Sequence, residues 1–218
     1  MDMKELFLRV EPLCEELNSY VFDGPIGKMI HHPLLISMTY HEQHCGIINE
    51  SFRQKSKALD EAIQNGDYSS AIYLHERPYR YDALIDMIND YGFEEDDKFW
   101  PTVGGVWTDS ENIFQNLAGW RSIWQTDIPD RHLVMSEEDQ EVYRALPSSF
   151  EVYRGVQEGG TDDGLSWTLS REKAQWFADR FKGNGHVLTR IAQKSDVLAY
   201  FGNRDESEIV ILPENLHG

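Results

Sequence analysis

With 218 residues, 40% hydrophobic and 12% aromatic, the chain holds enough apolar material for one substantial core, which excludes a disordered polar polymer. The 20 Lys and Arg stand against 38 Asp and Glu, and a formal charge of −18 opposes non-specific attachment to phosphate backbones and anionic membranes. Cys14 and Cys45 lack the spacing of a zinc knuckle or a secreted disulfide scaffold, no basic segment leads into an apolar leader, and nowhere do 18 apolar residues run together, so a cytoplasmic location away from membranes is expected.

In chain order, the first 146 residues read as a largely helical N-terminal region packed on the C-terminal remainder of the chain. Ser37 serves as an N-cap for a helix carrying Ile48, Phe52, Leu59 and Ile63 at helical spacing, stopped by Gly66. A second helix runs from Asp67 to about Glu76, and Pro78 opens a third that Gly92 ends. "FEEDDKFWPTVGGVW" reads as a loop. Helical character resumes with Ile113, Leu117, Trp120 and Trp124 on one stripe, and Ser136 caps "EEDQEVYRAL" with acids in its first turn. This part predicts five helices and no clear strand.

After Pro147 the period changes from helical to alternating. "SFEVYRGV", "GLSWTL", "GHVLTRIA", "DVLAYF" and "SEIVIL" read as strands, with "SREKAQWFADRF" as a helix capped by Ser170. The prediction is α+β, with residues 147–218 forming a mixed two-sheet core. The charge divides along the same line: 12 basic against 27 acidic residues before Pro147, and 8 against 11 from there on. The C-terminal part therefore repels an anionic ligand far less.

Three features of this part carry chemistry. Strand alternation projects Glu206 and Glu208 to the same side, where two carboxylates repel unless a cation or ligand compensates. A solvated strand edge explains such a pair equally well. Arg154 lies between Val152 and Val156 on an apolar face, and a guanidinium there needs an anion; its planar fork suits phosphate, and Gly155 beside it lets a ligand approach the backbone. The plainer reading is a salt bridge to one of the acids. Ser166 and Thr168 align two hydroxyls on one face of a short strand ahead of a helix, ready to orient a carboxylate or a sugar.

In this order the three features resemble the ADP-ribosyltransferases of the arginine, serine and glutamate class. "YRG", "LSWT…AQWFA" and "ESEIVILP" correspond to that family's three landmarks and span about a third of the chain. The resemblance implies NAD+ as co-substrate and no metal. By it, Arg154 holds a phosphate of NAD+, the backbone of Gly155 meets the nicotinamide amide, and Ser166, with Thr168, orders the site. Glu208 binds the ribose 2′-hydroxyl and stabilises the oxocarbenium-like charge, and Glu206 orients or deprotonates the acceptor. Trp167 stands where the family has a hydroxyl, and it is expected to point into the core. The loop with Phe201 and Arg204 would recognise the acceptor. Two glutamates resemble the subgroup that modifies protein arginine, which implies a mono-ADP-ribosyltransferase acting as an intracellular toxin or phage effector, with a neutralising antitoxin or inhibitor protein as partner. Two alternatives stay open: a nucleobase acceptor in RNA or DNA, as in toxin–antitoxin or anti-phage defence, and a non-catalytic binding protein on a degenerate transferase scaffold.

Two further motifs have plainer readings. His31, His32, His41, His44 and Cys45 cluster in sequence, but His41 and His44 are one residue short of the H-E-x-x-H spacing, and ordinary roles are expected. Arg77 and Arg80 interleave with Tyr79 and Tyr81 in the most acidic part of the chain, where docking against neighbouring acids or a protein partner is expected over base stacking.

Overall fold

A computed structural model of the protein describes residues 11–111, 113–180, 183–202 and 206–217. The fold is α+β with two antiparallel sheets, and the chain divides into two units, one running to Phe99 and the other starting at Trp100. Among the described residues, no helix is long and apolar enough to cross a membrane.

The N-terminal unit is largely helical, as expected, but also holds strands that the reading of its sequence did not foresee. Strands β1 (Val21–Gly24), β2 (Gly27–His32) and β3 (Leu35–Thr39) form a meander, turned at Gly27 with φ 116. Ser37 lies within β3 and caps nothing. The strands are short and only partly alternating, so the pattern of apolar residues understates them, whereas the Gly and Pro at 24–27 mark the first turn. The long helix α1 (Cys45–Gln64) begins eight residues after Ser37, behind a short 3-10 turn whose N-cap is His41; its Nδ1 accepts from the Gln43 amide at 3.3 Å. Helices α2 (Tyr68–Leu74) and α3 (Arg80–Tyr91) come next, and Gly92 closes α3 in the left-handed conformation, φ 66, that glycine adopts without a Cβ penalty. Leu17, Ile30, Leu35 and Ile48 centre this unit's core.

The C-terminal unit begins with a second correction. "FWPTVGGVW" is part of helix α4 (Phe99–Asp109), not a loop. Its two interior glycines each cost about 1 kcal/mol of helix propensity, but Trp100, Val103, Val106 and Trp107 are all buried. Burial of each such side chain is worth about 1.5–3 kcal/mol, and together these outweigh that cost. Gly104 is required sterically, since a Cβ there would lie 2.2 Å from the Val134 carbonyl oxygen. Trp107 stacks edge-on against Trp120 and Trp124, at centroid distances of 5.0 and 5.3 Å, on helix α5 (Leu117–Trp124).

Helix α6 (Glu137–Ala145) starts where expected, with the Ser136 hydroxyl accepting from the Asp139 amide. Strands β4 (Ser149–Val156), β5 (Ser166–Thr168), β6 (His186–Gln193), β7 (Val197–Phe201) and β8 (Glu208–Ile211) match the alternating segments, and helix α7 (Arg171–Asp179) is capped by Ser170. The expected two-sheet core is instead one five-stranded antiparallel sheet, ordered β6-β4-β5-β8-β7. β4 joins it together, pairing along its whole length with β6 and at Tyr153 with Thr168 of β5.

Candidate functional site

The central strands of this sheet bring Arg154, Ser166 and Glu208 together. Antiparallel pairing sets Thr168 opposite Glu208, and Phe201 opposite Glu208 on the other side. Glu208 opens β8 and is partly buried. Its Oε1 accepts the indole N–H of Trp107 at 3.2 Å, and the Ser166 side chain also favours the ionised form of this carboxylate. Burial pushes the Glu208 carboxyl up to about 7; the Ser166 and Trp107 hydrogen bonds pull it back, the nearby Glu206 charge adds to the rise, and Arg154 opposes it.

Arg154 is held by the same serine, its Nη1 donating to the Ser166 carbonyl at 2.7 Å. Its guanidinium lies against Gly164, where a Cβ would sit 1.9 Å from Cζ, so a larger residue there would push the guanidinium out of this position. Its Nε is buried with no partner among the described residues. Burial pulls the guanidinium below its ordinary value, while Asp162 and Glu208 act in the opposite direction. A buried donor left open beside a carboxylate is the arrangement expected where an anionic ligand completes the bonding.

Three expected roles are reassigned by the geometry. Gly155 makes room for a helix: a Cβ there would fall 2.1 Å from the Ala174 carbonyl oxygen, so its small size serves the packing of α7 on β4. Thr168 is buried, and its hydroxyl donates to the Glu206 carbonyl at 2.5 Å and accepts from the Ser170 amide at 3.0 Å. With both bonds directed at backbone, Thr168 holds the chain in place and has no hydroxyl proton left for a cofactor. Phe201 is 3% exposed, packed in the core as its place in β7 requires, and does not present its ring to a target. Arg204 lies outside the described residues.

The two acids also differ from the expectation of a continuous strand. β8 begins only at Glu208, and Ser207 adopts φ 44, a left-handed conformation that costs a non-glycine residue about 1 kcal/mol. Strand alternation therefore does not relate Glu206 to Glu208. The kink is held by Thr168 on the Glu206 carbonyl and by the Leu169 amide, which donates to the Ser207 carbonyl at 3.1 Å. Trp167 is 3% exposed, its N–H bonded to the Gly164 carbonyl, and so occupies the core as expected.

Two contributors escape a reading of the sequence. Trp107 is hidden in a segment whose Pro and Gly give it the composition of a loop, although Val103, Val106 and Trp107 already sit at helical spacing. Asp139 is buried and anchors the segment after β7: its Oδ1 accepts the Gly202 amide at 2.8 Å and its Oδ2 accepts the Ser136 hydroxyl at 2.9 Å. The histidine cluster has structural work. His32 is buried between Tyr20 and Phe52 and accepts the Leu34 amide on Nδ1, while His41 caps the turn before α1. Arg80 likewise binds within its unit, donating to the His75 carbonyl and lying over the Tyr73 ring.

The chain matches no family model, no curated protein and no solved structure.

Proposed function

We propose that the chain is a mono-ADP-ribosyltransferase that cleaves NAD+ and transfers ADP-ribose to a macromolecular acceptor, first a protein arginine, as an intracellular toxin or phage effector met by a neutralising protein. The supporting observation is the pairing of a buried cation with a desolvated acid around Ser166: its carbonyl accepts from Arg154 and its side chain favours the ionised form of Glu208. Arg154, with its open Nε, is suited to the diphosphate of NAD+. Glu208 is suited to the nicotinamide ribose. When the bond from C1′ to the nicotinamide nitrogen breaks, the electron pair leaves with nicotinamide and positive charge spreads over C1′ and the ring oxygen. A fixed carboxylate stabilises that charge more than it stabilises the ground state. The cationic nicotinamide ring of the incoming substrate favours the ionised form of Glu208. Glu206, on the strained turn, takes the proton that the acceptor nitrogen releases as it bonds to C1′; strain of this kind recurs at functional sites.

A nucleobase acceptor is the second reading, favoured by Trp176 on α7. It is 53% exposed, with the Lys173 ammonium and the Arg180 guanidinium 5.7 and 5.4 Å from its ring centre, an aromatic and cationic surface of the sort that binds single strands. The test is incubation with labelled NAD+ and cell extract, then separate protease and nuclease digestion. Label lost to protease supports the first reading, and label lost to nuclease supports the second. Absence of both nicotinamide release and label transfer rejects the enzyme and leaves a binding scaffold.

A further inference from the structure

The three motif segments do not account for everything that holds Glu208. Trp107 reaches it from 101 residues earlier in the chain, on a helix outside those segments. Trp107 is 1% exposed and locked edge-on against Trp120 and Trp124, so its indole cannot turn away without disturbing two other large side chains. An indole N–H is a donor only, and here it is spent on a carboxylate oxygen. Backbone carbonyls satisfy two other tryptophan N–H groups in this unit, those of Trp100 and Trp167.

We propose that Trp107 is a positioning residue of the transferase site, its indole N–H fixing the Glu208 carboxylate so that it meets the nicotinamide ribose in one orientation. The proposal rests on the transferase reading. Trp107 supplies a fixed point of attachment for the Glu208 carboxylate from a rigid helix. The charged groups whose fields reach Glu208 are Arg154 on β4 and Glu206 on the preceding turn, with Asp162 acting on Arg154; the side chain packed from α4 is the neutral indole. A donor to the ionised carboxylate favours that form, so its removal shifts ionisation to higher pH.

Two measurements test this. In Trp107→Phe, which keeps an aromatic ring in the Trp120–Trp124 cluster, nicotinamide release is expected to fall roughly 10- to 100-fold in kcat with little change in KM for NAD+, and the acidic limb of the pH–rate profile to move upward. In unliganded wild type, the Trp107 indole N–H resonance, identified by its loss in Trp107→Phe, should titrate near neutral pH and stop titrating in Glu208→Gln. A folded Trp107→Phe protein with unchanged kcat and pH profile overturns the proposal, and so does an indole resonance that ignores Glu208→Gln. If the resonance titrates as expected while wild type releases no nicotinamide, the transferase reading fails and the catalytic role of Trp107 with it, although the contact stands.

Discussion

Asn49 in the N-terminal unit and Arg154 with Glu208 in the C-terminal unit show two ways of burying polar groups. Asn49 is 1% exposed and closed on all sides: it accepts the Cys14 amide at 2.8 Å and donates to the Pro12 carbonyl at 2.8 Å and to Glu11 at 3.0 Å. Each bond ties a loop to a helix, and the group is finished. Around Ser166 the bonding is unfinished: Arg154 keeps an open Nε, Glu208 is pushed up to about 7, and Ser207 stands in a strained conformation. A buried polar group left open, as Arg154 Nε is, costs stability, and a ligand that completes its bonding offsets that cost.

The sharpest way to break this contrast is Glu208→Gln. Nicotinamide release should fall by about 10³-fold or more, as is typical when a charge-stabilising group is lost, while urea unfolding near neutral pH shows an equally or more stable protein. A destabilised Glu208→Gln would put Glu208 with Asn49, among the structural groups.

The pH dependence of stability should then slope in opposite senses for the two units. Between the ordinary value of 4.5 and about 7, folded Glu208 keeps a proton that the unfolded chain releases, so its contribution falls as pH rises across that window, by on the order of 3 kcal/mol. His32 is held below its ordinary 6.5, by burial first and by His75 second, so the unfolded chain takes up a proton that the folded chain resists. Its contribution is lost as pH falls below 6.5. Urea midpoints from about pH 4 to 8 for wild type, Glu208→Gln and His32→Asn separate the two; a Glu208→Gln curve parallel to wild type from 4.5 to about 7 would count against the raised Glu208.

Asn49→Ala should cost about 2 kcal/mol of stability, because it leaves a buried amide and a carbonyl without partners. Nicotinamide release per folded molecule should be unchanged at low temperature. A smaller effect, about 1 kcal/mol, is expected for Thr168→Val, which releases the Glu206 carbonyl and the Ser170 amide. Here transfer to the acceptor should drop more than NAD+ hydrolysis does, since the turn that carries Glu206 is loosened while Glu208 keeps Ser166 and Trp107.

Much of the C-terminal unit is legible in its sequence because its signals are local. Ser136 and Ser170 cap helices through amides three residues ahead, and five alternating segments form five strands. The helix of Phe99–Asp109 is not legible, since its Pro and paired Gly argue for a loop and the burial that overrides them comes from other parts of the chain. The meander of residues 21–39 is hidden because its strands are four to six residues long and partly exposed.

The sequence by itself determined the element types from Ser136 onward and the order Arg154, Ser166, Glu208, since caps and alternation act within a few residues. Only the tertiary structure decided that Ser166 bonds Arg154 and lies beside Glu208, that Gly155 admits a helix, that Thr168 braces the turn at Ser207, and that Trp107 meets Glu208. Those relations join residues far apart in the chain, and the packing of helices on the sheet determines which hydrogen-bonding groups are buried together.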